Sequence, residues 1–171
     1  MHIDVEVDQE AWGPSDVAVR IIDAAVRAAL EAVSGASRDR AVSIILTGDD
    51  EAADLNQRHR GKPGATNVLS FPAREIPGLP AGESQPLGDI VLAAGVIRRE
   101  APDQGITAER HLARLVVHGT LHLLGYDHDT HEKSEQMQSL EVVALKRLDI
   151  ALGERNDGGG SGADDAAPRD R

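Results

Sequence analysis

The order of apolar and polar residues predicts strands and helices that alternate along the first 150 residues. Residues 2–7 alternate apolar and polar, which predicts a half-buried strand, and the runs at 41–47, 66–71 and 88–93 predict three more strands. Helical periodicity predicts helices over 15–35, 50–60, 93–101, 107–123 and 131–152. This interleaving predicts an α/β (or α+β) fold, with a small mixed β-sheet of about four strands and helices packed on it.

Polar and glycine residues mark the ends of the predicted helices. The expected N-caps are Ser15, Asp49 or Asp50, and Thr107, and the first two of these helices are expected to end at Gly35 and Gly61. The last helix is amphipathic. The residues expected on its apolar side are Met137, Leu140, Val143, Ala144 and Leu148.

The chain is predicted to form one domain over residues 1–153. Residues 154–171 (ERNDGGGSGADDAAPRDR) contain no large apolar side chain. Such a segment buries too little surface to offset the entropy of ordering, so we expect a disordered Gly/Asp-rich tail.

Composition excludes several classes of function. The 171 residues include no cysteine, which excludes disulfides, thiolate metal sites and thiol nucleophiles. The net charge of −11 argues against a large nucleic-acid-coating surface, although Arg58, His59, Arg60 and Lys62 form a local basic cluster. Neither a signal peptide nor an apolar run of about 18 residues is recognisable, which predicts a cytoplasmic protein with no membrane partner.

The segment HGTLHLLGYDH (residues 118–128) is the most informative part of the chain. His118 and His122 lie four residues apart and project from one face of a helix. Gly125 is suited to end that helix in a left-handed conformation, so the chain can turn back and bring His128 to the same point. Three neutral imidazoles that leave a fourth position open are typical ligands of catalytic zinc, here expected at the end of a buried helix.

The spacing matches that of the metzincin proteases, H-E-x2-H-x2-G-x2-H, except at one position. Gly119 stands where those enzymes carry the glutamate that acts as general base. The absence of this glutamate disfavours peptide hydrolysis. Three neutral ligands leave the charge of Zn²⁺ uncompensated, and such an ion can activate water and bind an anionic phosphodiester oxygen.

Three blocks of sequence together resemble the YbeY family of bacterial rRNA-maturation endoribonucleases. They are HGTLHLLGYDH, LNQRHRGKPGATNVLSFP (residues 55–72) and LGDIVLA (residues 87–93), within residues 40–150. The resemblance implies an α/β fold, one Zn²⁺ on His118, His122 and His128, and a catalytic role for Arg60. It also implies cleavage of single-stranded RNA in small-subunit (16S) rRNA 3′-end maturation and ribosome quality control. The implied partners are rRNA, the small ribosomal subunit and a ribosomal protein, with no DNA partner expected.

The sequence alone leaves two other functions open. One is a divergent metalloprotease with Asp89 or Asp127 as its base. The other is an assembly factor that docks on the small ribosomal subunit, in which zinc serves folding alone.

Several residues near the predicted site have two interpretations. Arg60 is either catalytic or a cation that stabilises the end of its helix. Asp89 either orients a ligand imidazole or is a polar strand residue, and the first is slightly favoured. Asp127 and Asp129 either hold the His128 ring or make an Asx-type turn. Asn67 and Ser70 either line the groove or serve strand and turn roles. His111 is expected to be a neighbour of the metal rather than a fourth ligand.

Overall fold

The computed structural model describes residues 1–37 and 39–152, so the predicted tail and domain boundary lie outside the described residues. The described strands are β1 (His2–Val7), β2 (Arg40–Thr47), β3 (Val68–Pro72) and β4 (Gln85–Ala93). The described helices are α1 (Gln9–Trp12), α2 (Asp16–Ala32), α3 (Asp49–Arg60), α4 (Ala94–Asp103), α5 (Ala108–Leu123) and α6 (His131–Leu152).

The four strands form one mixed sheet in the order β1-β2-β4-β3. Strands β1, β2 and β4 are parallel, whereas β3 runs antiparallel to β4 at the sheet edge. Alternate residues of β2 are buried, and Ile90 to Ala93 of β4 are all buried in succession. Such a run is expected of a strand covered on both faces. The predicted α/β fold with a four-stranded mixed sheet is confirmed.

Gly88 allows β4 to pass close to its neighbours. Its φ is +143°, and a Cβ there would lie 2.3 Å from the carbonyl oxygen of Phe71 and 2.8 Å from Leu123 Cδ2. The pairing of β2 with β4 shifts register just before this glycine, between Ala41 and Val42. Only glycine fits both the conformation and the space.

Helix α5 lies at the centre of the domain. It contacts β3, β4, α2, α4 and α6. Thr107 is its N-cap as predicted, since its hydroxyl accepts a hydrogen bond of 3.1 Å from the Arg110 backbone N–H. Most of its residues from His111 to Leu123 are buried, so the two predicted metal ligands that it carries, His118 and His122, rest on a rigid support.

Several predicted helix ends were wrong. Helix α3 has Gly48 at its N-cap, and the predicted caps Asp49 and Asp50 both lie inside the helix. The Asp49 carboxylate instead accepts the Val96 N–H of α4 at 3.1 Å. Ser15 is the N-cap residue of α2 as predicted, although it makes no side-chain cap bond, but that helix ends three residues before the predicted Gly35. The short helix α1 was not predicted; the Asp8 side chain caps it.

The predicted apolar side of α6 is partly confirmed. Met137, Ala144 and Leu148 are buried, and Leu140 is half-buried. Val143 is 42% exposed, contrary to prediction. The buried residues follow steps of seven and four along the helix, and Val143 lies about 100° from that line.

Candidate metal centre

The structure brings the three predicted histidines to one point. One ligand nitrogen from each of His118, His122 and His128 lies within 4.8 Å of the others. The Nε2 atoms of His118 and His122 are 3.0 Å apart, as expected for rings one turn apart on α5. His118 and His122 are half-buried, and His128 is exposed.

The turn after α5 brings His128 back toward the helix. The Gly125 N–H donates to the His122 carbonyl at 3.0 Å, and the Tyr126 N–H donates to the Leu121 carbonyl at 3.1 Å. This is the Schellman pattern, and it requires the positive φ of +96° found at Gly125. The predicted role of this glycine is confirmed.

Hydrogen bonds orient both helical imidazoles. His122 Nδ1 lies 2.9 Å from the carbonyl oxygen of Tyr126, and His118 Nδ1 contacts Glu141 Oε1. Both partners are acceptors, so each Nδ1 carries the proton and each neutral ring presents an unprotonated Nε2. The two unprotonated Nε2 atoms therefore lie close together, where one metal ion can bind both.

The donor set fits zinc. Two nitrogens bound to Zn²⁺ at about 2.0–2.1 Å in tetrahedral geometry lie roughly 3.3 Å apart. The 3.0 Å between the Nε2 atoms of His118 and His122 is close to that value. Burial lowers the pKa of the His122 imidazole below its ordinary value, and the neighbouring His118 ring lowers it further. The lowered pKa favours the neutral ring that a metal requires.

Sequence reasoning missed the carboxylate that orients His118. Asp89, the favoured candidate, is exposed on β4, and the role falls to Glu141 on α6. Residue 141 lies on the line of α6 that includes the buried Met137, Ala144 and Leu148. An acidic residue on the buried line of a helix was the signal that could have found it.

Other carboxylates and rings near the site have structural partners. Asp127 Oδ1 accepts the Asp129 N–H at 3.2 Å, which favours the Asx-type turn over a contact with His128. This bond is the main reason why the pKa of Asp127 is lowered. His111 is buried, and its Nε2 lies 2.7 Å from Glu100 Oε2, as expected for a neighbour rather than a fourth ligand.

Arg60 shares a cavity with His122. It is the last residue of α3, and the open cavity of about 220 Å³ that it lines also includes Ser70 of β3 and Asp127. Arg58, two residues earlier, instead forms a salt bridge of 2.6 Å with Asp54. Arg60 is thus the arginine of the predicted basic cluster that lies beside the histidines.

A larger groove lies on the His118 side of the site. It has a volume of about 630 Å³ and lies along α5 and α6, so we call it the α5–α6 groove. His118 and Glu141 line it together with Asn67, which precedes β3. The candidate metal centre therefore lies between two cavities, one lined by His122 and the other by His118.

The fold and the site define a class of protein: an α/β domain whose central helix carries two of three histidines placed to hold one metal ion. The sequence model of Endoribonuclease YbeY matches residues 5–149. The chain belongs to the YbeY endoribonuclease family.

Curated relatives are similar in sequence to this chain over most of their own length. Proteins named Endoribonuclease YbeY from Rhodopseudomonas palustris and Maricaulis maris are 40% and 42% identical, over 86% and 87% of this chain. These matches cover 77% and 89% of the two relatives. A third, from Azorhizobium caulinodans, is 42% identical over 88% of this chain and 94% of its own.

A solved structure supports the fold. The solution structure of a protein from Thermotoga maritima superposes with a TM-score of 0.53 at 24% identity, over 92% of this chain and 99% of the other. None of the helices within the described residues is both long and apolar enough to span a membrane.

Proposed function

We propose that this protein is a zinc-dependent endoribonuclease specific for single-stranded RNA. The observation that carries the proposal is the convergence of three imidazoles beside Arg60 in a chain of the YbeY family. His118, His122 and His128 are the proposed ligands of one ion. Three protein ligands leave a fourth position for a reactant, as in catalytic zinc sites.

The residues around the ion prepare the site for attack on a phosphodiester. When bound, Zn²⁺ supplies a Lewis acid that activates water and draws charge from a phosphate oxygen. Glu141 and the Tyr126 carbonyl hold the two helical rings with Nε2 toward the ion. All three ligands are neutral, so the full positive charge of the ion acts on the anionic substrate.

Arg60 is the proposed catalytic arginine. Its side chain is exposed and lines the cavity that also includes His122. A guanidinium there can bind two oxygens of the phosphate and stabilise the charge that develops during displacement.

The structure gives a physical reason to disfavour the protease alternative. A Cβ at Gly119 would lie 3.1 Å from Ile90 and from Ser70 Oγ, so the glutamate of the protease motif would be crowded unless these side chains shift. The substitute bases also fit poorly, because Asp89 is exposed on β4 and Asp127 accepts a backbone N–H in its turn.

The proposed biological role is maturation of the 3′ end of small-subunit (16S) rRNA and ribosome quality control in the cytoplasm. The proposed partners are rRNA, the small ribosomal subunit and one of its proteins, with neither DNA nor a membrane. The names of the relatives, which specify an endoribonuclease, support the choice of RNA.

The test is cleavage of labelled RNA by zinc-loaded protein, with Arg60→Ala and Arg58→Ala as the matched pair. We expect single-stranded RNA to be cut and duplex RNA and single-stranded DNA to remain intact. Arg60→Ala should lower kcat/KM by about 10² or more, the scale found when one charge-stabilising donor is lost. Arg58→Ala should have little effect, because Arg58 is paired with Asp54. Equal cleavage by both variants would remove Arg60 from the mechanism.

A second measurement separates the enzyme from a zinc-stabilised assembly factor. Cells that lack the protein are supplied with wild type, Arg60→Ala or Arg58→Ala, and precursor rRNA is quantified. If the protein acts as an enzyme, cells with Arg60→Ala should accumulate precursor rRNA. Full maturation with Arg60→Ala would favour the assembly factor.

A further inference from the structure

We infer that the α5–α6 groove binds a nucleobase next to the scissile phosphate. The inference rests on the proposed ribonuclease function, and it assigns to this groove the recognition of one base of single-stranded RNA. The groove shares His118 with the candidate metal centre, so a base bound at its His118 end would lie beside the reacting phosphate.

The groove has the size and position to hold the nucleoside next to that phosphate. Its volume of about 630 Å³ is within the range of small-ligand sites. The Arg60 cavity, of about 220 Å³, lies beside His122, and the Nε2 atoms of His118 and His122 are 3.0 Å apart. An RNA strand with its phosphate at the histidines therefore has Arg60 near the phosphate and the larger groove available for an adjoining base.

The charge of the groove favours a neutral ligand. Its charged lining residues are Arg114 and Glu141, which carry opposite signs, and the Glu141 carboxylate already contacts His118. Away from the proposed ion, a second phosphate would meet no excess of positive side-chain charge in this groove. A base is uncharged, so the lack of net side-chain charge does not weaken its binding.

The polar lining suits the edge of a base. The lining includes Asn67, Gln104 and Gln138, whose side-chain amides can both donate and accept hydrogen bonds. Single-stranded RNA is recognised largely through such contacts to base edges. The Asn67 amide is held in place, because its Nδ2 donates to Glu100 Oε2 at 3.0 Å. Its carbonyl oxygen remains available as an acceptor.

The groove can also cover the faces of the base. Leu115, Val142 and Leu145 supply apolar surface along it, and Val142 is 53% exposed. Arg114 is exposed on α5 with the flat guanidinium on which bases stack. A base would bury apolar surface that is otherwise in contact with water.

The first test compares a single-stranded RNA oligomer cut at a known bond with oligomers in which either nucleotide flanking that bond lacks its base. The ribose and the phosphates are retained. With wild-type protein, one abasic oligomer should show kcat/KM lower by roughly fivefold or more, the scale typical of stacking one base on a protein side chain. Cleavage at equal rates whichever base is missing would overturn the inference and leave the ribonuclease function intact.

The second test assigns the base to the groove through matched variants on α6. Gln138 lines the groove, whereas the nearby Gln136 is an exposed residue outside its lining. Gln138→Leu should lower kcat/KM on the intact oligomer by about fivefold, the scale of one neutral hydrogen bond, and less on the abasic oligomer. Gln136→Leu should leave both unchanged. Equal losses on both oligomers with Gln138→Leu would place the base elsewhere.

A binding measurement without cleavage tests base binding in the α5–α6 groove separately from the proposed ribonuclease function. Side-chain amide resonances of Asn67, Gln104 and Gln138 are followed by NMR as the intact or the abasic oligomer is added to chelator-treated protein. Shifts that occur with the intact oligomer but not with the abasic oligomer support base binding in the groove. This result holds even if zinc-loaded protein fails to cut RNA, which would refute the ribonuclease proposal. If these resonances do not shift, although the zinc-loaded protein cuts the same RNA, the groove assignment is overturned and the ribonuclease proposal stands.

Discussion

Glu141 of α6 contacts the Nδ1 atom of His118 on α5, 23 residues earlier in the chain. The contact fixes which nitrogen of the ring faces the other histidines. It also joins the candidate metal centre to α6, a helix that supplies none of the three ligands.

Loss of the Glu141 carboxylate should weaken metal binding without unfolding the protein. We expect Glu141→Ala to lower zinc affinity by about 10- to 100-fold, as is typical when the partner of a ligand imidazole is removed. Glu141→Gln keeps an acceptor oxygen but loses the charge, so its affinity should lie between those of alanine and wild type. Competition with a coloured chelator measures these affinities.

The control for Glu141 is Glu135→Ala on the same helix. Glu135 is exposed and contacts His131, which lies outside the ligand set. Its removal should leave zinc affinity unchanged. Wild-type affinity in Glu141→Ala, with an unchanged circular dichroism spectrum, would show that the contact does not orient the ligand.

Removal of a ligand should abolish stoichiometric zinc. We expect His122→Ala to retain far less than one ion per chain, because two imidazoles alone hold zinc weakly. His131→Ala is the matched control, since the His131 side chain is 90% exposed. Metal content measured by mass spectrometry after gentle purification distinguishes the two. One tightly bound ion in His122→Ala would refute the proposed ligand set.

The fold and the three histidines could be predicted from local sequence, and the surroundings of the site could not. Strand alternation, the four-residue spacing of His118 and His122, and the glycine turn are properties of neighbouring residues. The contact of Glu141 with His118 depends on how α6 packs on α5, which no local pattern specifies. The Asp49 carboxylate was likewise misassigned, because its partner, Val96, lies 47 residues away.

The pH dependence of stability should reveal the neutral state of His122. Its pKa is lowered in the folded protein, chiefly by burial. Below about pH 6.5, the ordinary histidine value, the unfolded chain therefore binds a proton that the folded chain does not. In chelator-treated protein, this group makes the free energy of unfolding fall as pH drops below about 6.5, until pH passes the lowered pKa.

The contribution of His122 is isolated by comparing variants across this pH range. His122→Gln should show a shallower loss of stability on acidification than wild type, whereas His131→Gln should follow wild type. Urea unfolding at a series of pH values gives the slopes. Identical slopes for wild type and His122→Gln would contradict the lowered pKa.

Gly119 should be required for the close contact of α5 with the sheet. A Cβ there would lie 3.1 Å from both Ile90 Cδ1 and Ile90 Cγ2, which is too close for ordinary contact. We expect Gly119→Ala to destabilise the protein by about 1–3 kcal/mol, the usual cost of overpacking a core, reduced by up to about 1 kcal/mol of helix propensity.

The double variant Gly119→Ala with Ile90→Val tests the cause of that loss. Alone, Ile90→Val should cost about 0.5–1.5 kcal/mol, because it removes a buried methylene. In the Gly119→Ala background it should cost less, since loss of the Ile90 Cδ1 atom relieves one of the close contacts. Strictly additive losses in urea unfolding would mean that the two sites do not interact. The steric argument against a protease would then lose its support from Ile90.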